Sequence, residues 1–273
     1  MGRVAIPERQ SMRLLRKLRR RRVLKRWPLS DALWDATLCA HSRLPTLDQE
    51  SRQRLRELAT VFAHEKTFLP VRRAKLDEAL QTRIAALACL PVLNLGLDWY
   101  RDWHTLILYP AAFVSPRRVH DEHGLVQEWE EVLSGEASSW GPVVLSVADV
   151  EASGQGAGYN VVVHEMAHKL GLLNGAVNGF PPLHSGMSSR TWSAVFQAAY
   201  DDLNARLAAG EETLIDPYAA ENPGEFFAVL SEYFFDNPIL LTQVYQKVYE
   251  QLRDFYRQDP AELQNRICPP RGW

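Results

Sequence analysis

The segment NVVVHEMAHKLGLL, residues 160–173, constrains what this chain can fold into more than any other stretch. Its spacing predicts a helix with a buried start, because Val161, Val162 and Val163 lead directly into it. His164 and His168 are four residues apart and so share one face, from which both imidazoles can reach a single ion. Neutral imidazole nitrogen suits Zn2+. Glu165 lies one residue past the first histidine, at the flank of that ion, where it can hold a water and take its proton. The His-Glu-x-x-His pattern is that of the thermolysin-type zincins. The alternative is a surface helix that carries these residues by coincidence. Three leading valines argue against it, since two histidines and a glutamate buried there without a metal would leave polar groups uncompensated.

Two histidines do not complete a catalytic zinc site, and a third protein ligand is expected. HEMAHKLGLLN fits the longer HExxHxxGxxH pattern except that Asn174 stands in place of the last histidine, with Gly171 free to make the sharp turn. Amide oxygen is a poor zinc ligand, however, and Asn174-Gly175 reads equally well as a helix C-cap and turn. Glu225, in ENPGEFFAVLSEYFF, is the stronger candidate. It has an ordinary reading too: Asn222 as N-cap, Pro223 at the first helical position and Glu225 as a capping-box carboxylate. A first-turn glutamate on a helix this aromatic nevertheless sits at the core's edge, within reach of a metal held by another helix. Glu232, two turns later on the same face, supports the ligands or is simply a core-edge carboxylate. Tyr218 could donate its phenolic hydrogen to an oxyanion or could be ordinary packing.

With 273 residues, 46% hydrophobic and 23% charged, the chain can bury a sizeable core in one large domain or two small ones. The longest apolar run, Ile84 to Leu93, contains Pro91 and is too short to span a bilayer. The three cysteines form no CxxC pair, and Cys89 in AALACL reads as a buried free thiol. No apolar signal region follows the basic N-terminus, so a cytoplasmic location is expected. Charge is divided unevenly. Residues 1–26 hold eleven Lys/Arg against Glu8 alone, leaving 20 basic and 32 acidic residues elsewhere, a net of −12. Nine of those eleven fall between Arg13 and Arg26. Such a run could grip nucleic acid, an anionic membrane or an acidic partner, but a frayed, solvated tail, or one docked on the chain's own acidic body, is the simpler reading.

Along the chain, a helical stretch opens after Trp27-Pro28, and DQESRQRLRELATVFAHEKTFL has helical spacing. Residues 77–93 read as a buried helix, and Thr105–Tyr109 and 141–146 as strands, with a strand or hairpin near 126–132. Helices follow at 159–173, 190–207, 224–235 and 238–256. The expectation is an α+β, mostly helical chain: residues 1–27 a basic, flexible tail, and residues 28–273 a single domain with a small sheet and the HExxH helix.

Three stretches together, IAALACLPVLNLGLDWYRDWHTLILYP, GYNVVVHEMAHKLGLLNG and DPYAAENPGEFFAVLSEYFF, are similar to the Mlc titration factor A family. These are bacterial zinc peptidases whose catalytic region resembles that of anthrax lethal factor, and the similarity runs from about residue 60 to residue 260. It implies a zincin-like metallopeptidase domain with one zinc per chain held by His164, His168 and Glu225, with Glu165 as general base and Tyr218 as oxyanion donor. It also implies a cytoplasmic peptidase of aminopeptidase-like activity on peptide or protein substrates, with a transcriptional repressor of the Mlc type as partner and an influence on sugar phosphotransferase expression. Gly171 stands where family members carry Asp, and Gln127 where enterobacterial members carry His; His120 and His123 lie just upstream. The basic segment does not follow the family pattern. The competing reading is a non-catalytic protein that sequesters a repressor, its zinc site structural or vestigial.

Overall fold

A computed structural model describes residues 10–111, 113–120, 126–133, 135–137, 141–176 and 178–267. In chain order its strands are β1 (Thr67–Pro70), β2 (Thr105–Tyr109), β3 (Phe113–His120), β4 (Val126–Leu133), β5 (Gly135–Ala137) and β6 (Val143–Ser146). Its helices are α1 (Gln10–Arg26), α2 (Asp31–Cys39), α3 (Gln49–Glu65), α4 (Glu78–Cys89), α5 (Val147–Ala152), α6 (Val161–Gly171), α7 (Ser189–Ala208), α8 (Pro223–Asp236), α9 (Pro238–Tyr256) and α10 (Pro260–Ile267). The chain is mostly helical around a small sheet. None of the described helices is long and apolar enough to cross a membrane.

The sheet has the order β1-β2-β6-β5. β1 and β6 flank β2 in parallel, and β5 adds an antiparallel edge. Leu106, Leu108, Val143 and Leu145 are fully buried on the two central strands, which is why the alternation of these segments was readable. β3 and β4 form a separate antiparallel hairpin, Phe113 opposite Leu133 and His120 opposite Val126.

β1 is a difference from the sequence reading, which carries helix through Lys66-Thr-Phe-Leu69. The helix stops at Glu65, where Lys66 turns extended (φ −100°, ψ 147°). Its ammonium donates to the carbonyls of Tyr100 and Trp103, pinning the chain beside the incoming β2. Thr67–Pro70 then pairs with Thr105–Leu108. The strand has four residues, mostly exposed, so it has almost no hydrophobic period of its own. Its conformation comes from its partner. The crossover back to β2 runs through α4, whose residues Ile84 to Cys89 are all fully buried. That places the Cys89 thiol in the core, as the apolar run suggested; Cys268 lies outside the described residues.

The basic segment also differs from the expected flexible tail. Over Gln10–Arg26 it is the helix α1, with Val23 buried against the body. Arg20 donates from Nη1 to Asp98 at 2.9 Å and from Nε and Nη2 to Glu65 at 3.3 Å. Residues sharing that inward face dock the helix although eleven of its seventeen residues are polar or charged.

The core is aromatic. Trp192 stacks on Phe196 at 4.3 Å between ring centroids, and Phe226, Phe227, Phe234, Phe255 and Tyr256 are fully or almost fully buried. On α8 every residue from Phe226 to Asp236 is buried, so this helix runs through the middle of the molecule with neighbours on all sides. α6 packs directly against it. The site depends on that contact.

Candidate metal centre

α6 begins where Asn160 accepts the Val163 N–H through its side chain at 3.1 Å, a conventional N-cap. Val161, Val162 and Val163 are all buried; packing outweighs the weak helix propensity of three β-branched residues in a row. One turn on, the His164 and His168 rings lie edge to face with centroids 4.7 Å apart. Their Nε2 atoms are separated by 3.1 Å.

α8 supplies the carboxylate. Asn222 caps it by accepting the N–H groups of Gly224 at 2.9 Å and Glu225 at 3.0 Å. The cap therefore needs nothing from the Glu225 side chain, which turns to the histidines. Its Oε2 lies 3.0 Å from His164 Nε2 and 3.1 Å from His168 Nε2. Glu232, two turns further along α8, takes the other side of His164: Nδ1 donates to its Oε1 at 2.8 Å. Its Oε2 accepts the backbone N–H of Asn160. One carboxylate thus holds both the ring of His164 and the N-cap of the helix that carries it.

With its Nδ1 proton committed to Glu232, neutral His164 presents a lone pair at Nε2. Two imidazole nitrogens and a carboxylate oxygen then converge within 3.1 Å of one another. A single proton can serve only one of those contacts, whereas a cation serves all three. Tetrahedral coordination at ordinary zinc–nitrogen lengths sets donors about 3.3 Å apart, close to the spacings found. The donor set and its arrangement fit such an ion, and His164, His168 and Glu225 are the residues that could hold it.

The site favours positive charge, whether a proton on His164 or a bound cation. Burial lowers the pKa of His164, but its bonds to Glu225 and Glu232 outweigh this and hold the pKa well above the usual value. His168 is lowered, mainly by burial, with Glu225 opposing. Glu225 is buried, which by itself raises a carboxyl pKa, yet the two imidazoles bring it far below the usual carboxylate range.

Glu165 is 2% exposed on the next position of α6. Its neighbour on the same side of the helix is Lys169, 3% exposed, which donates to the Gly141 carbonyl at 2.9 Å. Burial brings the Lys169 pKa down to about 8, and the charge of Glu165 opposes that fall. Tyr218 sits in a 3-10 turn, Pro217–Ala220, in which Asp216 accepts the Tyr218 N–H at 2.9 Å. Its ring lies 6.1 Å from that of His164, centroid to centroid, and is 39% exposed. It therefore stands at the open side of the cluster.

The other sequence candidates fall elsewhere. Asn174 is exposed and closes a local turn, accepting the Ala176 N–H at 2.9 Å and donating to Asn178 and Phe180. Gly171 does not make the sharp turn; it is helical (φ −61°, ψ −41°), and the left-handed residue is Gly175 at φ 91°. His120 ends β3 and Gln127 pairs with Val119 in the hairpin, while His123 lies outside the described residues.

Two supporting residues escaped sequence reading. Asp236, one turn past Glu232, accepts the N–H groups of Gly156 (3.0 Å) and Gly158 (2.7 Å). Asn160 joins α6 to both Glu232 and His41. The only trace of the first in the sequence is the spacing Glu225, Glu232, Asp236 along one helix.

The family described as glucose-regulated metallo-peptidase M90 matches residues 15–257. Mlc titration factor A of Edwardsiella ictaluri is 39% identical over 227 residues, covering 82% of this chain and 87% of that protein. The protein of the same name from Cronobacter sakazakii is 38% identical over 229 residues, covering 83% and 86%. That from Salmonella arizonae is 37% identical over 238 residues, covering 85% and 93%.

Proposed function

Because the chain belongs to the glucose-regulated metallo-peptidase family M90, we propose that it is a zinc-dependent peptidase of zincin-like architecture, working at the cluster of His164, His168 and Glu225. The observation that carries this reading is the convergence of those three side chains, with Glu232 bonded behind His164 and Glu165 buried alongside. One zinc per chain, which the three residues would hold, would supply Lewis acidity toward the scissile carbonyl and lower the pKa of an attacking water. Glu165 takes the proton from that water as it attacks and delivers it to the leaving amine. Tyr218, on the open side, donates its hydroxyl hydrogen to the oxyanion that forms. Residues 28–273 act as the single catalytic domain, with α1 as an added helix.

Two finer assignments belong to the same proposal. Aminopeptidase-like cleavage is supported by the family resemblance of the motif segments. A repressor of the Mlc type as partner is supported by the name the relatives carry. Catalysis rather than sequestration alone is favoured by Glu165, since a structural zinc site has no use for a buried base beside it.

The test is metal content and hydrolysis of aminoacyl anilides by wild type, Glu165→Gln and Glu225→Ala. Wild type carries one zinc and cleaves, Glu165→Gln keeps zinc but loses at least a hundredfold in rate, and Glu225→Ala loses zinc. A wild type that is fully loaded yet inert, while holding a repressor of the Mlc type, would establish the sequestering protein instead. Full zinc retention by Glu225→Ala would remove it from the ligand set.

A further inference from the structure

Helix α1 takes no part in the chemistry above, and its register on the body is fixed. Val23 is 2% exposed, Arg20 binds Glu65 and Asp98, and Trp27, just past its end, stacks on His64 at 4.5 Å. That register points Lys17, Arg19, Arg21, Arg22, Lys25 and Arg26 outward, all exposed. Among the described residues, the first five of these form no ion pair. Leu18, 52% exposed, lies in the middle of this face, and Leu15, 65% exposed, lies one turn before it. Beside the helix opens a cleft of about 450 Å3, walled by Arg16, Arg19, Arg20, Lys66 and Arg101 against Glu65 and Asp102.

The rest of the chain carries a net charge of −12, so α1 is the densest run of positive charge on which a polyanionic surface could settle. Charge alone would admit nucleic acid. The two leucines decide otherwise: against a duplex they would face phosphates, whereas at a bilayer interface they enter the acyl boundary while the flanking cations stay among headgroups. α1 contains no aromatic residue on which a base could stack. The cleft has room for a compact anionic headgroup. We propose that α1 is a docking face for anionic phospholipid bilayers. Its outward cations engage headgroups, Leu15 and Leu18 insert, and the whole body is held in one orientation to the membrane.

The experiment is co-sedimentation of the full chain with vesicles of phosphatidylcholine alone, or with about a third phosphatidylglycerol. Measurements are made at roughly 0.1 M and 0.5 M salt, with a DNA duplex as a separate arm. The expected result is binding to the mixed vesicles only, lost at the higher salt. Arg21→Glu/Arg22→Glu/Lys25→Glu should weaken that binding at least about a hundredfold, at about fivefold per cation removed. Leu15→Ser/Leu18→Ser should weaken it about tenfold. Neither variant should alter anilide hydrolysis or the melting temperature, since all five side chains are exposed. Equal binding to phosphatidylcholine, binding to the duplex but not to vesicles, no vesicle binding at all, or leucine variants that bind like wild type would each overturn the proposal.

Discussion

At the scale of single residues, the site turns on where one carboxylate points. Glu225 could have served as a capping-box residue or as a ligand, and its local sequence is the same in both cases. Asn222 satisfies the first-turn donors alone, which frees Glu225 to lie between two imidazoles. Glu232 then decides which nitrogen of His164 faces the cluster. Replacing it with Gln removes the charge that stabilises the bound tautomer and one acceptor of the pair it offers. Chelator competition should show zinc affinity weakened by about 10- to 100-fold, with the far-ultraviolet spectrum unchanged. His41 makes a different prediction. Burial, with Arg83 and Arg43 nearby, lowers its pKa to about 3. Between pH 6.5 and that value the unfolded imidazole binds a proton that the native one does not. Stability therefore falls as pH drops through this window, by on the order of 3 kcal/mol at pH 4. Urea unfolding of the metal-free protein at pH 7 and pH 4.5 should show a smaller difference for His41→Gln than for wild type.

At the scale of elements, the centre is a contact between α6 and α8 reinforced from a glycine loop. Gly154, Gly156 and Gly158 all have positive φ, and Asp236 at the end of α8 gathers two of their N–H groups. At Gly158 a Cβ would stand 2.4 Å from Tyr233 Cε1, at φ +94°. Gly158→Ala should lower unfolding stability by about 2 kcal/mol, seen as a reduced denaturant midpoint at unchanged slope. An unchanged midpoint would mean that the loop relaxes freely and does not help to place α6. Helices with their own period and caps were legible from sequence: Pro238–Tyr256 matches residue for residue, and α7 and α8 fall within one residue of the expected ends. β1 was not, because four mostly exposed residues become a strand only when β2 arrives alongside. α1 was legible only as a basic run that could dock on the acidic body: its composition describes the face it shows to solvent, and docking rests on a few inward residues such as Arg20 and Val23.

For the whole molecule, a metal bound between α6 and α8 would link two of its most buried helices. A ligand that binds only the native state stabilises it by mass action. Stripping zinc with a chelator should therefore lower the melting temperature, and adding zinc back should restore it. Glu225→Ala should melt at one temperature regardless of zinc. A wild type whose melting temperature ignores zinc would count against a metal at this cluster.

The sequence by itself determined the chemistry available: two histidines on one buried helical face, a glutamate between them, and an aromatic helix that begins with another glutamate. Those features are local, and a helix of known period places them without further information. Only the tertiary structure decided which carboxylate meets the histidines and which one orients them. Both depend on the crossing of α6 and α8, separated by some fifty residues of chain. No local pattern encodes a distance of 3.0 Å between side chains so far apart in sequence; that distance follows from how the aromatic core packs around both helices.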